Sequence, residues 1–320
     1  MKQVLIHIGY HKTASSWLQE EVFCSGNPVF EPLSRQDFGQ STLANDFFLG
    51  RDGYLLSPFE SNEQIIREEL DALKRCRPEL EPKVRVLSHE RLSGNPHSSG
   101  FDAQVIARRL FEIFPGGKVL VMLREQESFL LSCYFQYLSA GGTHSLEDYL
   151  NTGFDGKRPG FSPHHINYLP LLEHYLELFG EQNVLALPYE FLDREPASFF
   201  ARLAEFLECS IDASSLDVHR RLNSRKNAWA SYHLRGLNRF LVRSSLNDYS
   251  HLCNPGTVFL SQALVQFVTA ITPEIWGERT VSGHKATIRQ WTGGRYVQSN
   301  SRLQERLDID LAKFSYKMSL

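Results

Sequence analysis

Four short apolar runs, each followed by a stretch of helical period, set the pattern of this chain. The runs lie at residues 4–8, 84–88, 118–123 and 183–187. Each has the length and the β-branched content of a buried strand. The third, Lys118-Val119-Leu120-Val121-Met122-Leu123, is almost continuously apolar, as a strand covered on both faces should be. Helical spacing follows: Trp17, Leu18, Glu21 and Val22 share one face, and 65–73, 101–114 and 168–179 read as helices. Further helices are predicted around Ser132, from Pro196 through Leu207, over 229–241 and 259–271, and from Ser299 onward. Strands alternating with helices predict an α/β fold around a parallel sheet. Residues 25–60 lack clean periodicity and read as a substrate-side excursion, and 151–165 form a Gly/Pro/His-rich loop. No repeat or low-complexity tract interrupts the chain. A single domain over 1–320 is expected, its core sheet within about 1–210 and a helical part over about 211–320.

The first strand breaks at Gly9, and Thr13 to Ser16 supply the small hydroxyl residues that suit a helix N-terminus. First-turn N–H groups lack internal partners and carry the positive end of the helix dipole. A phosphate or sulfate fits such a site, and Lys12 adds a full charge beside it. The hydroxyls of Thr13, Ser15 and Ser16 offer further donors. The segment is not a Walker A loop, because no glycine stands directly before Lys12. Tyr10-His11-Lys12-Thr13-Ala14-Ser15-Ser16-Trp17 resembles instead the 5′-phosphosulfate loop of PAPS-dependent sulfotransferases, commonly Y-P-K-S-G-T-T-W. Tyr, Lys and Trp coincide; His11 stands at the proline and Ala14 at the glycine. That alanine is acceptable only if its position needs no positive φ. An ordinary strand-to-helix turn with a solvated lysine is the plainer alternative.

The second predicted strand runs into Ser88-His89-Glu90-Arg91-Leu92-Ser93. Residues at the carboxyl ends of parallel strands face the ligand crevice. The segment resembles the S-x-E stretch of carbohydrate-type sulfotransferases. An acceptor hydroxyl must lose a proton as it attacks, so Glu90 is the first candidate base and His89 the second. The alternative is that Glu90 caps the following turn. The third strand ends at Arg124, with Ser132 eight residues later, and this Arg-x7-Ser pattern resembles the 3′-phosphate site of the same family. A guanidinium and a hydroxyl together suit a dianionic phosphate. Arg225 and Lys226 match the R-K-G loop that closes over the nucleotide in many members, with Asn227 at the glycine. Pro188-Tyr189-Glu190-Phe191-Leu192 and Ser299-Asn300-Ser301-Arg302-Leu303 resemble further family segments and read as structural, Glu190 bonding backbone or an arginine. Lys157, Arg158, His164 and His165 are candidate acceptor contacts, unless their loop is simply solvated.

Composition narrows the picture. The 320 residues are 42% hydrophobic and 12% aromatic, enough for a sizeable core. A formal net charge of −3 argues against a broad nucleic-acid surface. Five scattered cysteines without a C-x-x-C predict reduced thiols rather than a disulfide frame or a zinc site. No run approaches the roughly 20 apolar residues of a membrane span. A cytoplasmic bacterial enzyme is the simplest expectation. The resemblance implies a P-loop NTPase-like three-layer α/β fold with helices flanking a central parallel sheet. It implies transfer of the sulfuryl group of PAPS to a hydroxyl of a carbohydrate, glycolipid or small metabolite, leaving PAP and requiring no metal. Lys12 to Trp17, Arg124, Ser132, Arg225 and Lys226 would hold the donor. A P-loop-type kinase and a catalytically inactive PAP-binding module are the alternatives.

Overall fold

Five parallel strands carry the structure, a computed structural model that describes residues 3–24, 26–33, 36–37, 40–76, 84–152, 160–213, 216–217, 228–241, 267 and 272–319. They are β1 (Val4–His7), β2 (Phe30–Pro32), β3 (Val84–Ser88), β4 (Lys118–Leu123) and β5 (Val184–Pro188), in the spatial order β2-β3-β1-β4-β5. β1 lies at the centre, with Ile6 level with Leu87 of β3 and with Val119 of β4. Its Leu5 and Ile6 are wholly buried, which is why the run carries no charge. The chain leaves β1 for β2 and β3 on one side, then crosses back to β4 and β5 on the other. Order reverses at β1, so the crevice beyond its carboxyl end is where such a sheet binds ligands. Among the described residues, β2 was not foreseen. Three residues ending in proline give no periodic signal, and an edge position tolerates Pro32.

The helices include α2 (Glu63–Cys76), α3 (Ala103–Ile113), α4 (Gln126–Ser139), α5 (Leu146–Leu150), α6 (Tyr168–Phe179), α7 (Tyr189–Arg194), α8 (Pro196–Leu207), α9 (Ala228–Leu241), α10 (Glu274–Thr292) and α11 (Val297–Leu307), and all of these but α5, α7 and α10 follow predicted spans. The first helix departs from expectation. α1 covers only Ser15–Trp17 and widens at once into a π-helical turn, Leu18–Val22. α10 was not anticipated, because exposed Ile275 and Trp276 blur its apolar stripe. The helix predicted over 259–271 lies outside the described residues apart from Phe267. α6 packs on β4 and β5, and α8 packs on β5.

Three polar anchors fix the parts around the crevice. The Glu125 carboxylate caps α4, accepting from Glu127 N at 2.7 Å and Ser128 N at 2.8 Å. Gln126 and Asn300 pair their amides in the core, which ties α11 to the start of α4. Buried Arg109 of α3 donates to the carbonyls of Phe47, Ser57 and Glu60, at 2.9, 2.6 and 2.7 Å. That guanidinium folds the excursion back onto the domain, and it brings Phe48 to the crevice.

Candidate active site

The loop after β1 is pinned to β4 at its start, through both polar groups of the Gly9–Tyr10 peptide. Tyr10 N donates to Met122 O at 2.6 Å, and Met122 N to Gly9 O at 2.6 Å. Gly9 has φ +82°, and a Cβ there would stand 2.8 Å from Glu90 Cα. The absence of a side chain at Gly9 therefore lets the S-H-E segment sit directly on the loop. Lys12 and Ala14 both have φ +64°. The condition set for Ala14 is not met: it holds the left-handed conformation that glycine would hold freely. Strain of this kind costs about 1–2 kcal/mol per residue and gathers at functional sites.

Ala14 is also the N-cap residue of α1 and offers no side-chain acceptor. Among the described residues the first-turn N–H groups thus have no acceptor, in a helix whose first bond runs from Leu18 N to Ala14 O. Lys12 is exposed beside them. The Thr13 hydroxyl donates to Tyr10 O, which commits its only proton to the backbone. Ser15 reaches the same carbonyl at 3.5 Å, and Ser16 is exposed. Trp17 is buried near Phe200 and donates its indole N–H to Asp217 O at 3.1 Å.

Arg124 reaches from the end of β4 to this loop, donating from Nη1 to Lys12 O at 2.5 Å. Its guanidinium lies 5.1 Å from the centre of the Tyr189 ring, and its carbonyl accepts from Tyr168 at 2.6 Å. Its Nε is buried without a partner among the described residues. Ser132 is half-buried on α4, next to Cys133. Burial pushes the Cys133 thiol up to about 12, while the charges of Lys12 and Arg124 pull it down. The bond from Arg124 to the Lys12 carbonyl joins the end of β4 to the loop. Arg225 and Lys226 lie outside the described residues, as do Lys157 and Arg158.

On the opposite wall His89 continues the β1 ladder, donating from its N to His7 O at 3.0 Å. It is also the N-cap of the 3-10 turn Glu90–Ser93, its Nδ1 accepting from Arg91 N at 3.0 Å. Histidine, rather than Glu90, caps this turn. The Glu90 carboxylate makes no hydrogen bond or ion pair among the described residues. Arg91 pairs with Asp102 and lies 4.8 Å from the centre of the Phe48 ring.

The chain's similarity to known proteins bears on this arrangement. Residues 2–244 match the sulfotransferase domain family. The chain belongs to that family. It is a sulfotransferase in fold and in reaction class, and its sheet with flanking helices is the P-loop NTPase-like three-layer form. No curated protein matches the sequence. Similar solved structures include a sulfotransferase from Alicyclobacillus acidocaldarius, 14% identical over 86% of this chain and 99% of that one, with a TM-score of 0.47. A mouse sulfotransferase complexed with PAP is 12% identical over 89% and 90% of the two chains, with a TM-score of 0.40.

Sequence reasoning missed a group of histidines in this sulfotransferase. His11, His97 and His165 act on one another electrostatically, and His11 also feels His89 and Arg91. Each keeps one buried ring nitrogen without a partner among the described residues: His11 Nδ1, His97 Nε2 and His165 Nε2. Burial holds His97 down to about 4 and His165 to about 3, so the group is neutral at pH 7. The residues come from three separate segments, so no spacing could have announced them. Only His165 had been a candidate contact; its ring lies 5.2 Å from that of Tyr10, whereas His164 is exposed. Among the described residues no three His, Cys, Asp or Glu side chains are placed to share a metal ion.

Behind Arg124, Glu190 Oε1 accepts from Glu125 N at 3.0 Å, and Oε2 is buried without a partner among the described residues. Burial pushes this carboxyl up to about 7. No described helix is long and apolar enough to cross a membrane.

Proposed function

We propose that the enzyme takes its sulfuryl group from PAPS and places it on a hydroxyl of a carbohydrate, glycolipid or small metabolite. The observation that carries this reading is the reach of Arg124 to the Lys12 carbonyl. It joins an uncapped helix N-terminus to a guanidinium with an orphaned Nε. Two anionic groups separated by a nucleoside need two such poles. The first-turn N–H groups of residues 13–17 would hold the 5′-phosphosulfate. Arg124 and Ser132 would hold the 3′-phosphate, with Arg225 and Lys226 closing over it.

PAPS supplies a sulfuryl group on a good leaving phosphate. Lys12 meets the negative charge that gathers on the bridging oxygen. Glu90 takes the acceptor proton, because its carboxylate is unengaged and starts from a backbone pressed against Gly9. The chemistry so read calls for no metal. Free thiols at Cys24, Cys133 and Cys209 support a reducing compartment such as the cytoplasm. Asn238 donates to Leu138 O and Gly142 O, and Asn300 pairs with Gln126, which supports one domain over the whole chain.

Lys12→Ala and Glu90→Gln test the assignment. Each should lower PAPS turnover by about two to four orders of magnitude with unchanged thermal unfolding. Wild-type turnover in either variant removes that residue from its role. Magnesium-dependent phosphoryl transfer from ATP would replace the reading with a kinase.

A further inference from the structure

His89 carries its proton on a fixed ring nitrogen, and the reason is local. A backbone N–H can only donate, so the 3.0 Å bond from Arg91 N requires a lone pair on His89 Nδ1. In neutral imidazole the proton then sits on Nε2. The ring is kept neutral: burial lowers its affinity for a proton, Arg91 acts in the same direction, and Glu90 opposes them. The other titratable groups around it are His7 and His11 from the β1 segment, and both are themselves held neutral by burial. Arg91 is paired with Asp102, and Phe48 covers the ring from the excursion, 5.9 Å between centroids. His89 Nε2 makes no bond among the described residues, and it is not among the sealed ring nitrogens of its neighbours.

We propose that His89 is a hydrogen-bond donor to a sulfuryl oxygen, acting through Nε2–H, and is not the base. This rests on the sulfuryl-transfer reading above and divides the labour of adjacent residues. The acceptor hydroxyl proton passes to the Glu90 carboxylate while the acceptor oxygen bonds to sulfur. The bond from sulfur to the bridging oxygen breaks, and Lys12 meets the departing charge. His89 exchanges no proton in this step. It stabilises charge on the group in transit, as donors do in an oxyanion hole.

Long-range 1H–15N spectra of 15N-histidine-labelled full-length protein test the tautomer directly, with the signal assigned by its loss in a His89 variant. The expected result is a pyridine-type Nδ1 and a pyrrole-type Nε2 from pH 6 to 8; the reverse assignment overturns the proposal. PAPS turnover to PAP, with water or a methyl glycoside as acceptor, tests the role. His89→Gln supplies an amide donor near Nε2 and should stay within about tenfold of wild type. His89→Asn keeps an acceptor for the cap but lacks that donor, and should lose about a hundredfold. Full activity in His89→Asn would make the residue a cap alone. Equal loss in both variants, with the acid limb of the pH profile abolished, would make it the base. Glu90→Gln separates the two claims: wild-type turnover there refutes the base assignment and leaves the His89 tautomer standing.

Discussion

Replacing Gly9 by alanine perturbs the contact that joins the two halves of the site. The new Cβ would meet Glu90 Cα at 2.8 Å and Glu90 Cβ at 2.9 Å. Such separations force a shift. The loop cannot supply it easily, because Gly9 O is held by Met122 N and Tyr10 N by Met122 O. Movement therefore falls on Glu90 and His89. Two contributions add. A left-handed alanine costs about 1–2 kcal/mol, and overpacking adds roughly 1–3 kcal/mol. Gly53 separates them: its φ is +81°, and nothing lies within 4 Å of a Cβ there. Thermal and denaturant unfolding should show Gly53→Ala losing about 1–2 kcal/mol and Gly9→Ala about 2–5 kcal/mol. Displacing the reacting groups by about 1 Å should also lower kcat roughly a hundredfold in Gly9→Ala alone. PAP affinity should change little, since Arg124 stays in place. Equal destabilisation by the two variants, with wild-type kcat in Gly9→Ala, would refute the argument.

Two further changes probe the strain and the buried charge. Ala14→Gly removes the left-handed penalty but frees the unfolded chain, so it should stabilise by at most about 1 kcal/mol and keep turnover; clear destabilisation would contradict this. Glu190 has a carboxyl raised to about 7, so between about pH 4.5 and 7 the unfolded chain loses its proton first and stability falls as pH rises. Above that window Glu190→Gln should be more stable than wild type by up to about 3 kcal/mol, and near pH 4.5 the difference should vanish. A difference independent of pH would show that burial does not perturb this carboxyl.

Much of this molecule was legible in its sequence because the central strands are buried on both faces. The apolar runs at 84–88 and 118–123 coincide with β3 and β4. The strand, loop and helix start around Lys12 were legible for a different reason: Gly9 breaks the apolar run and small hydroxyl residues follow it. Conformation was harder to read. Nothing about Ala14 in the sequence says that its φ is +64°, or that α1 widens into a π turn after Trp17. Hydrogen-bond commitments were invisible too. Thr13 looked like a donor to the anion, yet its proton belongs to Tyr10 O. Glu90 stood first and His89 second as candidate bases, and nothing in the sequence shows the Arg91 N–H that occupies one ring nitrogen of His89. β2 escaped because three edge residues ending in proline carry no period, and the histidine group because the fold alone assembles it.

Calorimetric titration with PAP, without magnesium, is the most direct test of the central claim that Lys12 and Arg124 frame a PAPS site. The wild-type protein should bind PAP and give no heat with ATP. Arg124→Ala should lose at least tenfold in affinity, because a charge-assisted contact to a phosphate contributes about 1.5–3 kcal/mol. Undiminished PAP binding by Arg124→Ala, or a preference for ATP once magnesium is added, would contradict the account.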